Sequence, residues 1–267
     1  MKFYRWVAEH TILAKVLLSL GICTVYTALM YGLELSLWGI VIVDFLLVAI
    51  TCLWVSVCHM NLWNPVILKN NNECDPYPLL WETDKQMNYR MSEINREQLL
   101  LNRCVAKRNL GEYDEVYTTL MGLHLYENPG VLPHQKFVYL NNLFDVCLLL
   151  EKYEQADIWY QKLTEAYTQK IKNKKQKELC EDAMQIARAA NCFRHGEYEE
   201  CLSLLGNERS GCLANQISKA MLAANACLKL GQIDRAKTEL QFVVQNGNKF
   251  YAVVQAQKTL ENIEVSQ

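Results

Sequence analysis

Residues 111–116 read GEYDEV, and the same pattern returns as EKYEQA at 151–156, GEYEEC at 196–201 and GQIDRA at 231–236. Each copy follows one stretch with the apolar spacing of a helix and precedes another. No alternating, strand-like pattern occurs between the copies, and no proline follows Pro133. The sequence therefore predicts an all-α domain in which each copy is a turn between two antiparallel helices.

The residue types of the repeated pattern explain how such a turn forms. Glycine opens three of the four copies, and it adopts the left-handed backbone conformation that ends a helix. The large Tyr or Ile two positions later is expected to pack between the helices. The small residue three positions further on permits a close crossing. Glu151 stands in the glycine position of the second copy, so that turn is expected to be looser or strained.

These helix pairs resemble the tetratricopeptide repeat over about residues 94 to 247. The resemblance rests on the turns and on small residues in three of the first helices, Cys104, Ala189 and Ala224, whereas Phe144 departs from the pattern. It implies a TPR-like α-solenoid of about four helical hairpins. A generic helical solenoid is the alternative. A last helix, over about residues 249–263, is expected to cap the end of the stack.

The resemblance also implies a binding surface. Proteins of this kind bind peptides on a concave groove lined by the first helix of each repeat, so a protein or peptide partner is expected. Alignment of the turns places ten side chains on that groove: Gln98, Leu101, Val105, Arg108, Asn141, Asp145, Arg194, Met221, Asn225 and Lys229. The Lys and Asn pattern with which some members clamp a terminal carboxylate is not reproduced, and no such clamp is predicted.

The N-terminal part has a different composition. Only six of the 56 charged residues lie in the first 65 positions. Residues 11–33 and 35–58 are each apolar and long enough to cross the lipid bilayer, and the first stretch is too long for a signal peptide. We predict a transmembrane helical hairpin over residues 1–62, a linker with a lead-in helix over 63–93, and a repeat domain over 94–267.

The charges beside the two spans predict the topology. Lys2, Arg5 and Lys15 precede or enter the first span, Lys69 follows the second, and the turn between them has no basic residue. Basic residues concentrate on the cytoplasmic side, so both termini are expected in the cytoplasm, with the plasma membrane as the predicted location. The 11 cysteines form no CxxC pair, which fits a reducing compartment.

Two charged residues lie inside the predicted spans. Lys15 is close enough to the boundary for its ammonium group to reach the headgroups. Asp44 lies deeper, where a charge is costly, and it is expected to bond to a group such as Thr24 or Tyr26, or to another membrane protein. Ser19, Cys23 and Thr27 form a stripe of small residues that would let the two helices approach closely.

The linker is predicted from its breaker residues. Asn64-Pro65 and the polar run 69–73 indicate a break in the helix. Asp75-Pro76 is a favourable helix start, which predicts a helix from about Pro76 to Gln86. Cys58-His59 has no second Cys/His pair nearby and is not interpreted as a metal site.

The chain carries none of the common catalytic motifs, so we expect no enzyme activity, cofactor, metal or small-molecule substrate. Its net charge of −2 argues against nucleic-acid binding. The basic run at 170–177 is interpreted as a solvated loop or as a contact with anionic lipid. These observations favour a membrane-anchored scaffold or adaptor. The alternative is an accessory subunit of a membrane complex, such as a transporter or an envelope-synthesis enzyme, that docks through its hairpin.

Overall fold

The computed structural model describes residues 3, 6–7, 10–32, 37–206, 209 and 211–265. The described part is all-α, as predicted, and it divides into two compact units, Met1–Ile67 and Leu68–Gln267. The predicted turn around Glu34 and the basic residues Lys2 and Arg5 lie outside the described residues.

The first unit contains a pair of long apolar helices, α1 (Thr11–Gly32) and α2 (Leu37–Asn72). Both are long and apolar enough to span a membrane: the most apolar 18-residue windows within Leu13–Tyr31 and Trp38–Asn72 have mean hydropathies of 1.8 and 2.6. Most of their side chains are not covered by protein; Phe45, for example, is 74% exposed. The membrane prediction therefore rests on the length, apolar composition and exposure of these two helices.

The predicted break at Asn64-Pro65 is wrong, because α2 continues through Pro65 to Asn72. The last turn of α2 is held by a side-chain contact: Asn70 is buried and accepts a hydrogen bond from Asn109 Nδ2 at 3.0 Å. The helix ends only beyond this contact, where Cys74 has a left-handed backbone with φ of 50°. A residue in that conformation cannot continue a right-handed helix.

A short helix, α3 (Tyr77–Met87), follows almost where the sequence predicts it. Asp75 Oδ1 accepts a hydrogen bond from the Tyr77 backbone N–H at 3.2 Å, so this Asp stabilises the helix start as expected. Helix α3 packs against the following helix, and Asp84 pairs with Arg103 at 2.7 Å. Residues 63–93 therefore contain the end of α2 and the predicted lead-in helix, which packs against the helix that follows it.

Four sequential helix pairs follow, as the four turns predict. Their bounds are α4 (Glu93–Asn109) with α5 (Tyr113–Met121), α6 (Pro133–Leu149) with α7 (Tyr153–Glu165), α8 (Lys174–Arg194) with α9 (Tyr198–Leu205), and α10 (Leu213–Lys229) with α11 (Ile233–Asn246). A π-helical turn, Ala166–Lys170, extends α7, and a last helix, α12 (Tyr251–Val265), ends the described chain.

The four turns between paired helices share one geometry. In each, a backbone N–H donates to the carbonyl five residues earlier, at 2.8–3.0 Å, in the pairs Glu112–Lys107, Lys152–Cys147, Glu197–Cys192 and Gln232–Cys227. The residue before each donor has positive φ, which is 87° at Gly111 and 56° at Glu151. The second turn is therefore not looser than the others, but it holds a non-glycine residue in the left-handed region.

Replacing Glu151 by Gly is expected to stabilise the second unit by about 1 kcal/mol, because a left-handed conformation costs a non-glycine residue about 1–2 kcal/mol and glycine's greater freedom in the unfolded chain offsets part of the gain. Urea unfolding of the full chain in detergent measures this change. Glu154→Gly, inside α7, is the control, and it should destabilise by about 1 kcal/mol. A loss of stability in Glu151→Gly would contradict the interpretation.

Small side chains fill the crossings between paired helices. Val116, Ala156, Cys201 and Ala236 are all fully buried, as the turn pattern predicts. Phe144 is also fully buried, with its ring centroid 5.3 Å from that of Tyr160. The expectation that every large turn residue packs between helices fails once.

That exception is Tyr153, which is 46% exposed. Its ring lies instead on the wall of the cavity described below.

Candidate functional site

A cavity of about 1140 Å³ opens within the second unit. Its wall includes residues from the first helix of every pair, α4, α6, α8 and α10, and from α12, together with the turn residues Tyr113, Tyr153 and Tyr198. The volume slightly exceeds the range of about 300–1,000 Å³ that is usual for small-molecule pockets. It is large enough for a short segment of another chain.

One wall of the cavity is a polar network between α4 and α6. Arg108 Nη1 and Asp145 Oδ2 lie 2.7 Å apart, and Asn141 Nδ2 donates to the same oxygen at 3.2 Å. Burial raises the pKa of Asp145, although the charge of Arg108 opposes the shift. The buried Oδ1 atom of Asn141 has no hydrogen-bond partner among the described residues. This oxygen is therefore an unsatisfied acceptor inside the wall.

A second charged group lies at the end of α8. Arg194 Nη2 donates to Asp157 Oδ2 at 2.7 Å, and the guanidinium lies 5.4 Å from the centre of the Tyr153 ring. The side chain is thus held by an ion pair and an aromatic face together. Arg194 contributes a positioned cation to the wall, but its charge is already balanced by Asp157.

Two lysines on opposite walls have no such balance. Lys229 at the end of α10 and Lys258 on α12 both line the cavity, both are exposed, and neither forms an ion pair with any residue that the structure describes. The carboxylate of the wall, Asp145, is already paired with Arg108. The cavity therefore carries an excess of positive charge, which attracts anionic groups.

The structure brings most of the predicted groove residues together. Seven of the ten line the cavity: Arg108, Asn141, Asp145, Arg194, Met221, Asn225 and Lys229. The other three, Gln98, Leu101 and Val105, are not on its wall. Leu101 is 5% exposed and belongs to the same buried cluster as Leu123, from the connection after α5. Gln98 donates to Gln135 at 3.2 Å.

The reason for this difference lies in the connection between the first two pairs. Residues 122–132 form a longer link than a tight turn, and Leu125 and Val131 in it are buried. These side chains occupy the core cluster that also contains the middle of α4. Only the C-terminal end of α4, at Arg108 and Asn109, reaches the cavity.

Sequence reasoning missed the contribution of α12. Gln255, Lys258, Thr259 and Asn262 all line the cavity, and their spacing places them on one face of a helix. This polar stripe was visible in the sequence. The groove prediction does not include it, because the last helix is expected only to cap the stack.

The last helix instead returns to the start of the second unit. The Tyr251 ring packs edge-on against Tyr113, with ring centroids 6.2 Å apart. Lys249 Nζ pairs with Asp75 at 2.7 Å, and Asn248 Nδ2 donates to the Glu73 carbonyl at 2.7 Å. The helix also packs on α11. It therefore closes the set of helix pairs on itself, which corrects the prediction of a simple end cap.

The cavity wall is lined by hydrogen-bonding, charged and aromatic side chains. No group of three or more His, Cys, Asp or Glu side chains able to hold a metal exists among the described residues. Burial raises the pKa of Cys104 and of Cys201 to about 12, so these thiols stay protonated and unreactive. The polar wall residues suit hydrogen bonding and ion pairing.

The first unit contains a separate polar contact. Thr27 Oγ1 donates to Asp44 Oδ2 at 2.9 Å, and Cys23 Sγ lies 3.7 Å from the Asp44 carbonyl oxygen. The partner is therefore Thr27, and not Thr24 or Tyr26 as expected. The Thr24 hydroxyl donates to the Leu20 carbonyl. No ion pair joins Lys15 to Asp44 within the described part of the chain. Asp44 Oδ1 is buried and has no partner there.

No protein-family model, no curated protein and no solved structure matches this chain. The described residues define an all-helical protein of packed helix pairs, with two apolar helices of membrane-spanning length and a polar cavity.

Proposed function

We propose that the protein is a membrane-anchored, non-enzymatic adaptor that binds a segment of a protein partner in the cavity of its helix pairs. The observation that carries the proposal is the cavity wall: the first helix of each of the four pairs contributes to it. Stacked helix pairs that share one concave face are suited to binding extended segments.

The repeat type we propose is tetratricopeptide-like. Four turns with the same hydrogen bond and a positive φ support this assignment, as do the buried small residues at the crossings. A generic helical solenoid remains the alternative. Either type presents a concave face, so the binding proposal does not depend on the choice.

The partner segment we propose is acidic. Lys229 and Lys258 supply two positive charges without counterions among the described residues, and such charges attract carboxylates. The anchor keeps the adaptor at the cytoplasmic face of the plasma membrane in this proposal. Confinement there raises the effective concentration of a membrane-bound partner, so a weak cavity interaction suffices.

Replacing both Lys229 and Lys258 by Glu is expected to reduce recovery of the partner at least about tenfold, because two attractive charges become repulsive. Recovery is measured by quantitative mass spectrometry after proximity labelling with the intact protein. Both side chains are exposed, so the fold should survive.

The matched control is the double replacement Arg90→Glu and Arg96→Glu. These two side chains are also exposed and form no ion pair among the described residues, and they lie off the cavity wall. The control makes the same change in net charge and should leave recovery unchanged. If both double variants recover the same partners as the original chain, the cavity is not the binding site.

A second candidate function is that of an accessory subunit that docks through its hairpin. The buried, unpartnered Asp44 Oδ1 atom favours it, since a polar group inside a bilayer requires a partner. Thr27→Val removes the contact within the hairpin, whereas Asp44→Leu also removes the free oxygen. Loss of a membrane complex on a native gel with Asp44→Leu but not with Thr27→Val supports docking. If both variants keep the complex, or both lose it, Asp44 acts only within the hairpin.

A further inference from the structure

Three lysines converge on one tyrosine in the second unit, away from the cavity wall. The Nζ atoms of Lys136, Lys162 and Lys170 lie 6.0, 5.6 and 4.3 Å from the centre of the Tyr126 ring. We name these three side chains the lysine cluster. None of them lines the cavity of about 1140 Å³, so the cluster is separate from the proposed partner site.

The ammonium groups of the cluster are held in place. Lys136 Nζ donates to the Tyr126 backbone carbonyl at 2.7 Å, and Lys170 Nζ donates to the Tyr126 hydroxyl at 2.7 Å. Lys162 Nζ lies 4.5 Å from the centre of the Trp159 ring. Groups that are already ordered lose less conformational entropy when they bind an anion.

The positive charges of the lysine cluster are only partly balanced by nearby carboxylates. Lys170 pairs with Glu165 at 3.5 Å, and Glu127 favours the charged form of Lys136. Burial and the nearby charge of Lys170 nevertheless lower the pKa of Lys136. A bound anion would relieve this repulsion.

We propose that the lysine cluster binds a phosphate group, supplied either by the headgroup of an anionic lipid or by free phosphate. Each ammonium group has three N–H donors, and the contacts above use at most two of them, so donors remain for the oxygens of a phosphate. Basic residues near an anionic bilayer each add to its attraction. Nucleic acid is disfavoured by the net charge of −2 of the chain, and the two rings beside the cluster, Tyr126 and Trp159, are already faced by lysine ammonium groups.

The test is lysine footprinting of the full chain in nanodiscs, by limited acetylation and mass spectrometry. Three samples are compared: phosphatidylcholine alone, phosphatidylcholine with phosphatidylserine, and phosphatidylcholine with added inorganic phosphate. We expect acetylation of the lysine cluster to slow about fivefold in at least one of the last two samples. Slowing with phosphatidylserine identifies a lipid source, and slowing with inorganic phosphate a free one.

Three results would overturn the proposal. The first is unchanged acetylation in both samples. The second is equal slowing at Lys152, which is exposed, outside the cluster and off the cavity wall, and would then report general screening. The third is protection by added polyuridylate alone, which would assign the cluster to nucleic acid.

A variant tests whether the geometry of the lysine cluster, and not its charge alone, is needed for binding. Tyr126→Leu keeps all three lysines and the backbone carbonyl that Lys136 bonds, but it removes the ring that the lysines face and the hydroxyl that holds Lys170, and we expect it to lose most of the protection. Tyr117→Leu is the control, because the Tyr117 ring has one lysine near it, Lys152 at 4.9 Å. Full protection in Tyr126→Leu would contradict the arrangement that we propose.

Discussion

Replacing Gly111 by Ala is expected to destabilise the second unit by about 2–5 kcal/mol. Gly111 has φ of 87°, so any side chain there costs about 1–2 kcal/mol. A Cβ atom would also lie 2.7 Å from Cγ of Tyr251, at the base of the ring, and such overpacking adds about 1–3 kcal/mol. Urea unfolding of the full chain in detergent measures the loss.

Gly231→Ala is the matched control for this prediction. Gly231 occupies the same turn position with φ of 69°, but a Cβ atom there meets nothing within 4 Å. Gly231→Ala should therefore lower the free energy of unfolding only by the cost of the left-handed backbone, about 1–2 kcal/mol. In a Tyr251→Ala background the extra cost at Gly111 should disappear. Equal losses at the two glycines would show that α12 does not pack on the first turn.

Replacing Phe144 by Ala is expected to cost about 3–5 kcal/mol, the range for large-to-small changes in a core. Phe144 is fully buried in the largest core cluster and packs on Tyr160. Because this cluster includes residues of α4 to α8, the loss should reach several helix pairs. Hydrogen exchange of the full chain should show faster exchange in each of them.

The control for Phe144 is Val138→Ala on the same helix. Val138 is 38% exposed, so its replacement should change stability by no more than about 0.5 kcal/mol. If Phe144→Ala were equally mild, the packed interior at this crossing would be contradicted.

The turns could be predicted from sequence because their chemistry is local. The left-handed position at Gly111, Gly196 and Gly231 is fixed by a few neighbouring residues, and only glycine takes it without strain. The same logic identified Glu151 as the exception. The helices on either side followed from apolar spacing alone.

Contacts between distant residues could not be predicted in this way. The pairing of Lys249 with Asp75 joins positions 174 residues apart, and no local pattern records it. The break expected at Pro65 failed for the same reason, because Asn109 holds Asn70 from far along the chain. In the cavity, repeat alignment located the charged ends of α4 and α8 but not the wall from α12.

For the two apolar helices, the sequence predicts some contacts correctly and others wrongly. The stripe of small residues contains Cys23 and Thr27, and both contact Asp44. The hydroxyl that bonds the carboxylate was nevertheless assigned to Thr24 or Tyr26. A shift of three residues along α1 moves a side chain by about one turn, and sequence without the packed partner does not define which turn faces Asp44.

The most direct test of the adaptor proposal is site-specific photo-crosslinking in native membranes. A benzophenone amino acid replaces Ser218 on the cavity wall or, as control, Thr118 on α5. Both hydroxyls are exposed and bond the carbonyl four residues earlier, so the two changes are comparable. We predict a crosslinked partner from position 218 only, weakened by Lys229→Glu with Lys258→Glu. Crosslinking from position 118 alone, or equally from both positions, would contradict binding in the cavity.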